Sequence, residues 1–259
     1  MARGGVKARV VPPVRGAQWL LEGVRLFGAA PLGWLVLVFA YLMGTMLLSA
    51  IPGVGPVVVG LVVPALSVGF MAAGRAAAHK QALDLAMLAS GFRERLASQL
   101  VLGAVYVAGF LLAIAGSALG DGGMLAGLIL GAAPAEEPPP GDGLFAAMLV
   151  ALALYVPTMA MLWFAPVLVA WHGLSPARAV FYSLVACWLN LRAFFAYGVA
   201  LLLGLFVVIG MVTLAAALLA GAAASVRALI FPLALAVLPV LFASYYASYR
   251  DVFGAAEDA

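Results

Sequence analysis

"PLGWLVLVFAYLMGTMLLSAIPGVGPVVVGLVVPALSVGFMAAGR", residues 31–75, carries no charged side chain before its last residue, Arg75. The hydrocarbon core of a bilayer is about 30 Å thick, so a helix needs roughly 20 apolar residues to cross it. The stretch holds two such lengths. Between them, "IPGVGP" places Pro52, Gly53, Gly55 and Pro56 where the chain turns sharply and a helix cannot continue. Lipid offers the backbone no hydrogen bonds, so each length must be helical to satisfy its own peptide groups. Residues 31–75 therefore predict a membrane-spanning helical hairpin.

The whole chain has the same character: 67% of its residues are hydrophobic, 9% are charged and the mean hydropathy is +1.19. A soluble domain is about half apolar and a quarter charged, so this is an integral membrane protein. A net charge of +3 and a pI near 9.2 do not indicate nucleic acid, because no basic stripe with interleaved aromatics is present. Six runs are long enough to span, at about 32–51, 54–78, 99–120, 144–171, 193–219 and 226–248. The expected fold class is all-α, a polytopic transmembrane bundle of six spans. The single cysteine, Cys187, allows no internal disulfide.

Ahead of the first span, Gln18, Glu22 and Arg25 share one helical face and Trp19, Leu20, Val24 and Phe27 another. That is the periodicity of an amphipathic helix lying in the membrane interface. Segments 82–98 ("ALDLAMLASGFRERLAS") and 175–191 ("SPARAVFYSLVACWLNL") precede the third and fifth spans in the same way. The latter opens on Ser175-Pro176, a capping serine with proline at the first helical position. The chain thus reads as a threefold internal repeat of interfacial helix, span and span. Three similar stretches agree: "PALSVGFMAAGR" (64–75), "PVLVAWHGLSPAR" (166–178) and "PVLFASYYASYR" (239–250), each within the second span of its unit.

Residues 1–16, basic and rich in Pro and Gly, read as a mobile cytoplasmic tail, 17–250 as a single membrane domain and 251–259 as a short cytoplasmic tail. With the N-terminus inside, Arg227 alone among the Lys and Arg residues falls outside. The external loop at about 121–143 then carries acidic residues and no basic one, as the positive-inside rule requires. Both termini are then cytoplasmic. No small-residue cleavage site follows a short apolar core, so no signal peptide is read.

Ionisable residues deep in a span mark transport or catalysis, because they are costly there. None stands near the middle of any run. Tyr41, Thr45, Ser67, Tyr106, Ser117, Tyr155, Thr158 and Thr213 are the main polar side chains at depth, and packing within the bundle accounts for them. His79 and His172 fall at span ends without metal-ligand spacing, so no metal or other cofactor is expected. Gly53-x-Gly55 lies in a turn, and neither a phosphate loop nor a nucleophile elbow occurs. With no acid–base pair in place, no enzyme activity is expected.

Pro64, Pro157, Pro166, Pro232 and Pro239 each remove a helical hydrogen bond and kink a span. The candidate cavity or kink positions are Pro64, Tyr155, Thr158, Pro166 and Pro239. The candidate interfacial contacts are Arg25, His79, Arg93, His172, Arg178, Arg192 and Arg250. Tyr245, Tyr246 and Tyr249, with Trp34, Trp163, Trp171 and Trp188, read as anchors in the headgroup belt.

The segments "ARVVPPVRGAQWLLEGVRLFGAAPLGWL" (8–35) and "WFAPVLVAWHGLSPARAVFYSLVACWLNLRAFFAYG" (163–198) resemble an uncharacterised family of proteobacterial six-span inner-membrane proteins. The pattern Pro166, Gly173, Ser175, Pro176, Ala179 and Ser183 is more distantly similar to membrane domains attached to some bacterial glycerophosphodiester phosphodiesterases, whose catalytic domain has no counterpart here. The resemblance implies a multi-pass protein of the bacterial inner membrane and no established activity.

The leading expectation is a non-enzymatic structural or accessory protein that binds membrane lipids or a protein partner, itself included. Its motive is the set of amphipathic segments on the basic face, where anionic headgroups add roughly 1 kcal/mol per nearby Lys or Arg. The alternative is a transporter or channel for a small uncharged or lipid-like solute. A closed apolar bundle weakens the second; a central cavity lined by Tyr155, Thr158 and the proline-freed carbonyls strengthens it.

Overall fold

The computed structural model describes residues 7–130, 142–220 and 226–254; the side chains of Arg227 and Pro232 and most of the expected external loop, 131–141, lie outside the described residues. Among these all regular structure is helical, and six helical segments are long and apolar enough to cross a membrane. α1 (Val14–Ala29) leads into the hairpin of α2 (Pro31–Ser49) and α3 (Gly55–Ala78). A short 3-10 turn (Leu85–Ala89) and the one-turn α4 (Ser90–Arg93) connect to α5 (Leu96–Asp121) and α6 (Met124–Leu130). α7 (Asp142–Trp163) and α8 (Ala165–His172) share the fourth span, α9 (Pro176–Leu189) is short, and α10 (Leu191–Ala220) and α11 (Val226–Phe253) complete the set.

The hairpin turns where its prolines and glycines require it. Gly53 sits at φ 77°, a left-handed conformation that glycine adopts without penalty. α5 and α7 lie side by side with little between their backbones. A Cβ on Gly109 would come within 2.3 Å of Thr158, so the close approach needs glycine there.

Several expectations change. Residues 82–98 do not form a continuous interfacial helix: Asp84 caps the 3-10 turn through the Ala86 N–H at 2.9 Å, and Arg95 is left-handed at φ 55°. The cause is tertiary. Ideal Cβ positions on Gly69 and Gly91 fall 2.6 Å from Leu88 Cα and 2.1 Å from the Ala65 carbonyl, so the segment presses its backbone against α3. A short helix precedes two long ones at 14–78 and 176–253 but not between them, so the expected threefold repeat is not confirmed.

The terminal segments are not free tails up to 16 and beyond 250. The Arg9 N–H bonds the Val252 carbonyl at 2.7 Å, and Asn190 holds the Val11 N–H at 2.8 Å and the Arg9 carbonyl at 3.0 Å. α1 is wedged between α10 and α11; a Cβ on Gly16 would meet the Ala193 carbonyl at 1.8 Å. Arg15 grips Asp251 through two hydrogen bonds of 2.6 and 2.7 Å and reaches Glu22 at 3.0 Å, while Glu22 also pairs with Arg250. The fully buried Trp19 donates its indole N–H to Asp251 at 2.7 Å. Burial pulls the Arg15 guanidinium down, but its bonds and charges from Asp251 and Glu22 more than reverse this and hold it above its ordinary value.

The start of the external loop is helical, because the Asp121 carboxylate accepts the Gly123 and Leu125 N–H groups at 2.9 and 2.7 Å and so starts α6. Several belt aromatics also turn inward. Trp34, Tyr246 and Tyr249 are buried in the bundle, since their polar atoms find partners there: Trp34 donates to the Leu26 carbonyl at 3.1 Å, and Tyr249 shares a 2.7 Å bond with His172.

Candidate functional site

α3, α5, the α7–α8 span, α10 and α11 leave between them a partly open cavity of about 530 Å³, within the range of about 300–1,000 Å³ typical of small-molecule sites. Val63, Met159, Leu162, Leu201 and Leu241 give it an aliphatic wall. Phe194, Phe242, Trp163, Tyr106, Tyr197 and Tyr245 give it an aromatic one, and Ser67 adds a hydroxyl. No charged side chain among the described residues lines it.

One side of this cavity is a broken helix. α7 ends at Trp163 and α8 begins at Ala165 with Pro166 in its first turn. Proline has no N–H to give and its ring crowds the preceding turn, so carbonyls and an N–H near the break lose their helical partners. Inside a membrane each such loss costs several kcal/mol. Neighbouring elements supply the replacements. Ser183 of α9 accepts from the Phe164 N–H at 2.9 Å and donates to the Ala160 carbonyl at 2.8 Å. The Tyr245 hydroxyl of α11 donates to the Trp163 carbonyl. The side-chain amide of Gln99, on α5, donates to the Pro166 carbonyl at 2.9 Å. The break is thus braced from three directions.

Other hydroxyls are chained along the spans. Tyr197 bonds Ser244 at 2.8 Å and Ser244 donates to the Leu241 carbonyl. Tyr106 and Tyr155 share a 3.3 Å hydroxyl pair across α5 and α7. Cys187, one turn beyond Ser183, lies 3.5 Å from the Ala160 carbonyl, and burial pushes its thiol up to about 12.

Of the candidate positions, Pro64 and Pro166 line the cavity. Tyr155 stands behind the wall, joined to it through Tyr106. Thr158 is buried, donates to its own helix at the Leu154 carbonyl and packs on Gly109; it does not line the cavity, and neither does Pro239. Arg25, His79, Arg93, Arg178 and Arg192 are exposed, Arg250 is paired with Glu22, and His172 is paired with Tyr249.

Sequence reasoning missed Gln99, Tyr197, Gly198, Ser244 and the cavity-facing side of Tyr245. It had a signal for Ser183, which stands one helical turn from Ala179 in the Gly-x-Ser-Pro pattern. Gln99, fully buried, was overlooked at the edge of an apolar run. Among the described residues no three of His, Cys, Asp and Glu converge as a metal-ligand set.

The chain is similar to a probable inner membrane protein of Burkholderia thailandensis, with 40% identity over 256 residues that cover 93% of this chain and 92% of the relative. No family model and no solved structure matches.

Proposed function

We propose, of a chain that belongs to the same inner-membrane protein family as the Burkholderia thailandensis relative, that it holds one lipid-like molecule inside its bundle and acts there as a non-enzymatic accessory protein. The observation that carries this reading is the uncharged, aromatic-walled cavity of about 530 Å³ between five spans. Its wall offers an acyl chain close contact and offers a charged solute nothing. The lining has no carboxylate, imidazole or thiol from which to build an acid–base pair.

The broken α7–α8 helix favours transport as a second reading, because discontinuous helices line the sites of many transporters. Against that stands the bracing from Ser183, Tyr245 and Gln99, which spends the freed backbone groups on fixed contacts. Binding without alternating access therefore fits better. In this reading both termini are cytoplasmic, where the exposed Arg25, Arg93, Arg178 and Arg192 meet anionic headgroups.

Gly198 provides the test. It lines the cavity, and a Cβ there would touch nothing within 4 Å, so Gly198→Phe fills the space without moving backbone. Native mass spectrometry of gently purified protein should find a bound lipid-like molecule on the wild type and at least about tenfold less on Gly198→Phe, with an unchanged melting temperature in detergent. A wild type without bound lipid, or a filled variant that keeps it, overturns the proposal.

A further inference from the structure

The polar groups of the cavity wall are not equivalent. Tyr245 spends its hydroxyl proton on the Trp163 carbonyl, and Tyr197 is tied to Ser244, which itself donates to the Leu241 carbonyl. Ser67 donates to the Pro64 carbonyl at 2.7 Å, and the Trp163 indole N–H donates to Ser248 at 3.3 Å. Tyr106 is different. Its hydroxyl is 3.3 Å from that of Tyr155, and either can be the donor. Two hydroxyls bring two protons, and the bond between them uses one. Among the described residues no other group accepts the second proton. When Tyr155 donates, the spare proton belongs to Tyr106, which lines the cavity, whereas Tyr155 does not.

We propose that the cavity selects an uncharged acyl segment carrying a hydrogen-bond acceptor oxygen, an ester or ketone carbonyl, which receives the spare hydroxyl proton of Tyr106. This rests on the lipid-binding reading of the cavity and names the chemistry it prefers. Tyr155 donates to Tyr106 from behind and polarises the hydroxyl that faces the ligand. The rest of the wall excludes charge, because a charged group in an apolar site without a partner is strongly disfavoured. A bilayer glycerolipid, through an acyl ester, and a free neutral molecule both carry this chemistry.

The experiment uses the full chain in nanodiscs and three diazirine probes with the same hexadecanoyl-length chain: the methyl ester, the matching hydrocarbon, and a phosphatidylethanolamine acylated with that chain. The wild type should label with the methyl ester, the phosphatidylethanolamine or both about three- to tenfold more than with the hydrocarbon, the range one hydrogen bond supplies. Preferred labelling by phosphatidylethanolamine identifies a bilayer lipid as the source, and by the methyl ester a free molecule. Tyr106→Phe should level ester and hydrocarbon, whereas Tyr155→Phe, which leaves the Tyr106 hydroxyl in place, should keep most of the preference. Melting temperatures check that both variants fold. Labelling of wild type by neither ester probe above the hydrocarbon, or a preference that survives Tyr106→Phe, overturns the proposal while leaving lipid binding standing. Labelling that Gly198→Phe does not block removes the cavity reading itself.

Discussion

Cys187 shows what burial does to one group in this chain. Its thiol is enclosed by α7 and α9 and pushed from 9.0 up to about 12, because the thiolate would lose its solvation. A folded-state value above the unfolded one means that folding holds the proton. The contribution to stability is then fully present below pH 9 and is lost as pH rises toward about 12. Since only thiolate attacks maleimide, labelling of folded protein at pH 8 should be slower than labelling after denaturation in SDS, by up to about a thousandfold. Equal rates in the two states would show that the thiol is open to solvent. At this scale the sequence was a partial guide. Proline positions are legible because the ring's effect on its own helix is local, and Pro64 and Pro166 do line the cavity. Thr158 and Tyr155 were legible as polar groups at depth. Which way they face depends on a neighbouring helix, and no single-run pattern encodes that.

Among the elements, the fourth span is the informative one. Composition reads 144–171 as one continuous helix with a kink, whereas the chain divides it at Phe164 and hands the freed groups to α9 and α11. Ser183→Ala should leave the Phe164 N–H unpaired and the Ala160 carbonyl with only the weak Cys187 thiol donor, and cost about 1–3 kcal/mol, the penalty for burying an unsatisfied group. Hydrogen-exchange mass spectrometry should show faster exchange confined to about 160–168, with α2 and α3 unchanged. Unaltered exchange at the break would mean that Ser183 does not brace it. The same logic explains segment 82–98. Its helical periodicity is real, yet the contact of Gly69 and Gly91 with opposing backbone bends it into short turns, because close packing outweighs propensity differences of less than about 1 kcal/mol per residue.

At the scale of the molecule, the first and last helices hold each other. Arg15, Glu22, Arg250 and Asp251 join α1 to α11, and Asn190 ties residues 9–11 to the start of α10. Residues 9–15 and 250–252 therefore lie at one end of the bundle. We propose, from the positive-inside rule, that this end faces the cytoplasm, and labelling can check it. In intact spheroplasts, a membrane-impermeant maleimide should modify a cysteine at position 135 and spare one at position 80 until the membrane is permeabilised. The reverse pattern would invert the topology. The sequence by itself determined that this protein is an all-helical membrane bundle of six spans, because length and apolarity decide whether a segment can cross a bilayer and both are local properties. Tertiary structure alone decided where the spans leave room. The cavity, the bracing of the broken helix, the clamp between the ends and the Tyr106–Tyr155 hydroxyl pair all arise from residues far apart in the chain, brought together by packing that no single segment specifies.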